Sequence, residues 1–522
     1  MPRAFRDFGQ DEDGGMLPFA MTLLLIMMTV GGLAVDVMRH EEKRVLLQQT
    51  LDRSVLAAAS LRQELDPEAV VNDFFEKAGL AQYLTSVTVD EGLNFRSVSA
   101  EADADTNPFF MHMMGIDQLT VSAGSGAEER ISNVEVSLVL DISGSMAGSR
   151  INGLRPAARE FVSTILNNSE PGRATISIVP YSAQVNLGTD LMAQFNATQV
   201  QNKTYCVELP SGVFSSISLS TGTSFVHNGH FDPFNNYSSQ SYANNTNASM
   251  FNCSYHSTAP SANTVLALSG DIPTLHNKIN ALVVEGNTSI DLGVKWGALL
   301  LDPAARTVTA GLVSRNAVQP QFANRPLNFN NQETIKVLVV MTDGQNTTEY
   351  RLKAPYNGTG LSDVYRNSSG QVSVYYDRAN TSYDYYRPAS NNWATAAYSN
   401  STRLTWPQVF ERWNVSHVAY YFFARPRNQN YNTWVSNLME SIWSDKNSKL
   451  QTICSAAKNA GILVYTIAYE APYDGQTQLR NCASGDPTTN EGTYYYPAIG
   501  SDQIATVFRS IANQISFLRL TQ

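Results

Sequence analysis

Apolar and polar positions divide the chain into three regimes. Residues 16–35, MLPFAMTLLLIMMTVGGLAV, are predominantly apolar and about twenty in number, long enough to cross a bilayer as a helix. The anchor is placed at residues 17–38, after a polar N-terminal tail at 1–16. Beyond Asp36, VMRHEEKRVLLQQTLDRSVLAAASLRQEL keeps apolar residues at helical spacing with no Gly or Pro before Pro67. That pattern predicts that the helix runs on as an amphipathic stalk. Residues 67–81 predict another helix, and LTSVTVDEGLNFRSVSAEAD and MGIDQLTVSAGSGAEE predict strands. Residues 39–130 are therefore expected to form a helical stalk and a small membrane-proximal α+β module.

From residue 134 the period changes. VEVSLVLD, ATISIVPYS, IKVLVVMTDG and ILVYTIAYE read as buried strands, and LRPAAREFVSTIL, IPTLHNKINALV, SIDLGVKWGALLL, KLQTICSAAKNAG and DQIATVFRSIANQISFLRL as amphipathic helices between and after them. Strands alternating with helices predict an α/β domain over residues 131–522 with a doubly wound, mostly parallel sheet. Residues 190–268 and 346–446 break the rhythm, are rich in Asn, Ser and Tyr, and are too long for ordinary loops; they are expected to be two large structured insertions.

Composition narrows the class. A formal charge of −10 with no basic run in the body of the chain argues against nucleic-acid binding. With only 16% charged residues and abundant Asn, Ser, Thr and Tyr, the surface suits a secreted or envelope protein. Cys206, Cys253, Cys454 and Cys482 show no C-x-x-C spacing, which disfavours zinc and leaves a disulfide framework or four reduced thiols. Three pairings exist; Cys206 with Cys253 and Cys454 with Cys482 is favoured because each pair lies within one segment. A cleaved signal peptide is the alternative to an anchor, but the apolar run is long for the h-region of one. Arg3 and Arg6 before the helix and Arg39, Lys43 and Arg44 after it would, by counting alone, put the N-terminus outside, against the export that the cysteines suggest.

The candidate chemistry sits where strands end. LVLDISGSM delivers Asp141, Ser143 and Ser145 at the end of one buried strand, VLVVMTDG delivers Asp343 at the end of another, and EGNTSIDLG places Thr288 in a loop that opens a helix. Ligands of open α/β sheets bind beyond the carboxyl ends of the strands. Two carboxylates and three hydroxyls, all oxygen, suit Mg²⁺ or Mn²⁺. The bland alternative is that Asp141 or its serines cap the following helix. Ser143 as a nucleophile lacks the G-x-S-x-G context and a histidine placed as its base, so no enzyme activity is expected.

These five residues resemble the metal-ion-dependent adhesion site of von Willebrand factor A domains over residues 134–189, 270–345 and 447–520. The resemblance implies that Ser143, Ser145 and Thr288 ligate the ion directly, that the aspartates often act through water, and that one open position takes an acidic side chain from a protein partner. The N-terminal segment, with its Gly-led apolar helix, Asp36 and LDRSVLAAAS, resembles TadG-type proteins of Tad pilus assembly, as do AKNAGILVYTIAYE before Cys482 and the strand YYYPA. That resemblance implies a single-pass protein of the bacterial inner membrane with its bulk in the periplasm, and pilus or envelope assembly components as partners. Ala20 stands where prepilin-type cleavage after Gly15 would want Glu. Two rival readings are a eukaryotic-type surface receptor subunit, suggested by N-x-S/T triplets such as those at Asn287 and Asn346, and a cytoplasmic metal-dependent ATPase partner of the chelatase type.

Overall fold

The computed structural model describes residues 16–521 apart from 61–62, 64, 92–94, 131–132, 235–251, 257, 331–333, 380, 486–493 and 499. The tail with Arg3, Arg6 and Gly15 lies outside the described residues. The chain divides into two compact units, residues 1–131 and 132–522.

In the first unit, the apolar run and its continuation are one unbroken helix, α1 (Met16–Ala59). Among the described residues it is the one helix long and apolar enough to cross a membrane. Its halves differ in environment. Leu23, Leu24, Leu25, Ile26 and Met27 are exposed, whereas Leu47, Leu51, Val55 and Ala58 are buried against α2 (Pro67–Lys77) and an antiparallel sheet of β1 (Leu84–Glu91), β2 (Phe95–Thr106) and β3 (Leu119–Arg130). Asp66 caps α2 by accepting from the backbone N–H groups of Glu68 and Ala69, and Pro67 occupies the first turn, where its missing N–H costs nothing. Two expectations change here. The second half of α1 is the core helix of the small module and not a free stalk, because Val98, Ala100, Ala102 and Ala104 alternate along β2 to make an apolar face that it covers. The helix after Asp66 also ends at Lys77 instead of residue 81.

The second unit is built on six strands: β4 (Asn133–Asp141), β5 (Ala174–Tyr181), β6 (Leu266–Ser269), β7 (Thr334–Thr342), β8 (Leu463–Tyr469) and β9 (Tyr495–Ala498). They lie in the order β9-β8-β7-β4-β5-β6, parallel throughout except for β6, which runs antiparallel to β5. Six helices flank it: α3 (Ser149–Asn167), α4 (Ile272–Ala281), α5 (Ile290–Leu299), α6 (Lys446–Asn459), α7 (Tyr473–Cys482) and α8 (Ser501–Thr521). Residues of α3, α4 and α8 fill the core on one face, and those of α5, α6 and α7 the core on the other. Cover on both faces is why β4, β5 and β7 are buried along nearly their whole lengths and are apolar at most of their positions. α5 lies close to the sheet because it carries glycine there: a Cβ on Gly297 would come within 2.5 Å of Val139.

The stretches that broke the sequence rhythm carry their own small sheets. The first holds three short strands, Asn196–Thr198, Val207–Glu208 and Ser224–His227, and the Cys206–Cys253 disulfide. The main sheet resumes at Leu266 and so within residues 190–268, through a strand of four residues, too short to show a period. The second holds a five-stranded antiparallel sheet and a separate core that includes Trp406, Phe410, Trp413 and Phe422. Cys454 of α6 is bonded to Cys482 of α7.

Candidate functional site

The order of the strands reverses between β4 and β7, and both end at the same edge of the sheet. Their register pairs Leu140 with Met341, so Asp141 and Asp343 leave adjacent strand ends side by side. The loop carrying Thr288 is tied to the loop after β4 by backbone: Glu285 N–H donates to Ile142 C=O (2.8 Å) and Gly144 N–H to Gly286 C=O (2.9 Å). Three separate chain segments are thereby brought to one place.

Within it, Asp141 Oδ1 accepts from the backbone N–H of Ser143 (2.7 Å), and Asp141 Oδ2 accepts from the Thr342 hydroxyl. The Ser143 and Ser145 hydroxyls lie 3.1 Å apart, and Ser145 Oγ donates to Asp343 Oδ1 (2.7 Å). Thr288 is fixed through its backbone, its N–H donating to Thr347 Oγ1 (2.8 Å) and its C=O accepting from Thr347 N–H (2.9 Å). A Cβ on Gly344, the residue after Asp343, would stand 3.4 Å from Thr288 Oγ1. All five sequence-derived residues therefore border one cup, with Asp141, Ser143, Thr288 and Asp343 buried and Ser145 exposed. The helix-capping alternative is not what forms: α3 begins at Ser149 behind Gly148 with no side-chain cap.

The cup is electrostatically unbalanced. Complete burial, then the neighbouring charge of Asp343, pushes the Asp141 carboxyl up to about 7. Burial also raises Asp343, held back by hydrogen bonds from Ser145 and Arg150. Arg150 is the cation that meets the pair: Nη1 donates to Asp343 Oδ2 (2.7 Å) and to the Ser145 carbonyl (3.0 Å), while Nε donates to Glu470 (2.8 Å). It is shared with a third carboxylate and partly exposed, so two buried carboxylates are left short of positive charge.

Sequence reading missed Thr342, Arg150 and Glu470. Two carried a signal. Thr342 is a hydroxyl that closes the apolar run at residues 337–341, and Arg150 is a cation in the first turn of a helix, the end that disfavours positive charge. Glu470 becomes visible only when β8 is placed beside β7. Among the described residues, no group of three or more His, Cys, Asp or Glu is placed to hold a metal ion. The cup is of another kind, its donors being two carboxylates and three hydroxyls.

Comparisons with known proteins bear on the anchor. Residues 14–61 match the family described as "Putative Flp pilus-assembly TadE/G-like". No curated protein matches the chain. Solved structures with some similarity include the pilus adhesin SpaC from Lactobacillus rhamnosus GG at 12% identity, with 82% of this chain and 33% of that one covered and a TM-score of 0.31. The chain thus spans about a third of that adhesin. Others are the vWF domain of the type V pili tip protein Mfa5 from Porphyromonas gingivalis (14% identity, 74% and 96% covered, TM-score 0.31) and the PilB minor pilin from Streptococcus sanguinis (14%, 83% and 78%, TM-score 0.28).

Proposed function

We propose that the chain is a membrane-anchored pilus assembly or adhesion protein whose second unit is a von Willebrand A-type domain that engages a protein partner through a divalent cation. The observation that carries this is the pairing of Asp141 with Asp343 at the reversal of strand order, with Ser143, Ser145 and Thr288 around them. In chain order the six strands run 3-2-1-4-5-6, the doubly wound order, whose ligand crevice opens at that reversal. The residues fit the ion chemically: every donor is oxygen, the carboxylates are buried, and their mutual repulsion is relieved by a dication. Ser143, Ser145 and Thr288 would hold Mg²⁺ or Mn²⁺, with Asp141 and Asp343 balancing its charge. The bound ion supplies an attraction for an anionic group, typically a partner Asp or Glu.

The side chains then have separate tasks. Thr342 and the Ser143 amide orient Asp141, Ser145 links the first loop to Asp343, and Arg150 sets the charge at the rim. The Ser143 hydroxyl pairs with that of Ser145 while its backbone amide donates to Asp141, which suits a ligand-holding role better than nucleophilic catalysis. The N-terminal family match and the two disulfides support an inner-membrane anchor with the bulk of the chain in the oxidising periplasm. Asp343→Ala is expected to abolish pilus-dependent surface attachment while the protein stays folded and membrane-bound at its normal level. Normal piliation and attachment in that variant would reduce the domain to a spacer.

A further inference from the structure

The hairpin joining β2 to β3 carries large apolar side chains at its tip. Phe109, Met113 and Met114 are 67%, 84% and 59% exposed, and Phe110 and Ile116 beside them are also open. Exposed apolar patches on a soluble surface are small and scattered, and a concentrated one marks a contact.

This tip is fastened to α1. The backbone N–H groups of Phe109, Phe110 and Met111 all donate to the Asp36 carboxylate, at 3.0, 2.7 and 2.8 Å. The Phe110 ring occupies the space over Gly32, where a Cβ would come within 2.3 Å of it. The Arg39 guanidinium lies 4.5 Å from the centre of the Phe109 ring.

The attachment fixes the level of the tip. A helix rises about 1.5 Å per residue, so an apolar run from Met16 to Val35 covers about 30 Å, the thickness of a bilayer's hydrocarbon. Gly32 then lies about 5 Å inside its far edge. Phe110, packed on Gly32, is held at that depth. Asp36 falls at the boundary, where a lone carboxylate would be costly; three amide donors satisfy it there. Arg39, one turn on, reaches the headgroup level.

We propose that the tip Phe109–Ile116 is a second membrane contact, inserted into the interface of the same bilayer that α1 crosses. This rests on reading α1 as a membrane helix. The occupant of the patch is lipid: the tip is bound to the apolar half of α1 and stands at the depth of about 5–10 Å to which interfacial elements bury their apolar faces. The two contacts together set the tilt of the module on the membrane, which one helix alone leaves free.

Spin labels on the full chain in nanodiscs of phosphatidylethanolamine and phosphatidylglycerol test this, since the four native cysteines are paired and leave an introduced thiol to react. Met113→Cys, Leu25→Cys and Lys77→Cys each carry the label, and collision with oxygen is compared with collision with a water-soluble nickel chelate. The expected result is an oxygen-to-nickel ratio above one at positions 25 and 113 and below one at position 77. A water-like ratio at 113 with a lipid-like ratio at 25 overturns the proposal and leaves the anchor standing. An immobilised label at 113, shielded from both reagents, overturns it in favour of a protein neighbour. A water-like ratio at 25 removes the membrane reading and the proposal together.

Discussion

The two ends of the β4–β7 strand pair carry buried charge in opposite balance. At the amino end, Glu135 of β4 meets Lys336, its direct neighbour on β7, and Arg325 at 3.1 Å, so one carboxylate has two cations. The remaining donors there are also used: Lys336 reaches the Leu301 carbonyl (2.9 Å), and Arg325 reaches Asn133, Gly172 and Arg173 (3.0 Å each). At the carboxyl end, Asp141 and Asp343 face one another with a shared, partly exposed Arg150. A closed set of charges is structural. An open one is a site, because its deficit has a sign and a ligand can fill it. Identical strands and similar burial thus give a locked end and a receptive end.

The largest expected effect is at the locked end. Lys336→Met strands Glu135 beside a single cation and should destabilise the second unit by about 3–5 kcal/mol, read as a lower melting temperature by circular dichroism. A melting curve unchanged by that substitution would show that the amino end is not the structural one. The receptive end should respond with the opposite sign. In EDTA at pH 8, Asp141→Asn removes a buried charge that faces another and should raise the melting temperature by roughly 2–4 °C. A drop would mean that Asp141 is already compensated.

pH should move the metal-free protein in the same sense, with a smaller effect. Burial pushes Glu208 up to about 8 and Glu285 up to about 7, against 4.5 in an unfolded chain. Between those values the folded state binds more protons at the two carboxyls than the unfolded one. The buried His230, held down to about 3, opposes them with one proton, and Lys278 and Lys295, pushed down to about 7, oppose them above that pH, so stability falls as pH rises from about 5 to 7. Melting in EDTA across this range should shift downward with pH. A flat or rising profile would contradict the burial of these two carboxyls.

Much of this was legible in the sequence, for physical reasons. The apolar runs at residues 138–140 and 337–341, leading to Asp141 and Asp343, announce a sheet covered on both faces, and twenty predominantly apolar residues announce α1. The cysteine pairs Cys206–Cys253 and Cys454–Cys482 each fell within one segment, and the structure joins them so. What escaped depends on contacts distant in sequence. The tie of Asp36 to residues 109–111 joins groups more than seventy positions apart, and it turns a simple membrane exit into a clamp. The packing of Leu47, Leu51 and Val55 inside the small module has no signature beyond amphipathicity, which a stalk would share. Short strands such as Leu266–Ser269 carry too few residues to show a period. Glu470 is an ordinary surface residue until the fold places it at the rim.

The central claim is that the open end of the strand pair holds a divalent cation. Calorimetric titration of Mg²⁺ into the full, EDTA-stripped chain in detergent, beside a Ser143→Ala, Ser145→Ala, Thr288→Ala variant of unchanged circular dichroism, tests it most directly. Saturable one-site binding is expected in the wild type and is lost in the variant. Equal binding in both proteins, or none in the wild type, would contradict it.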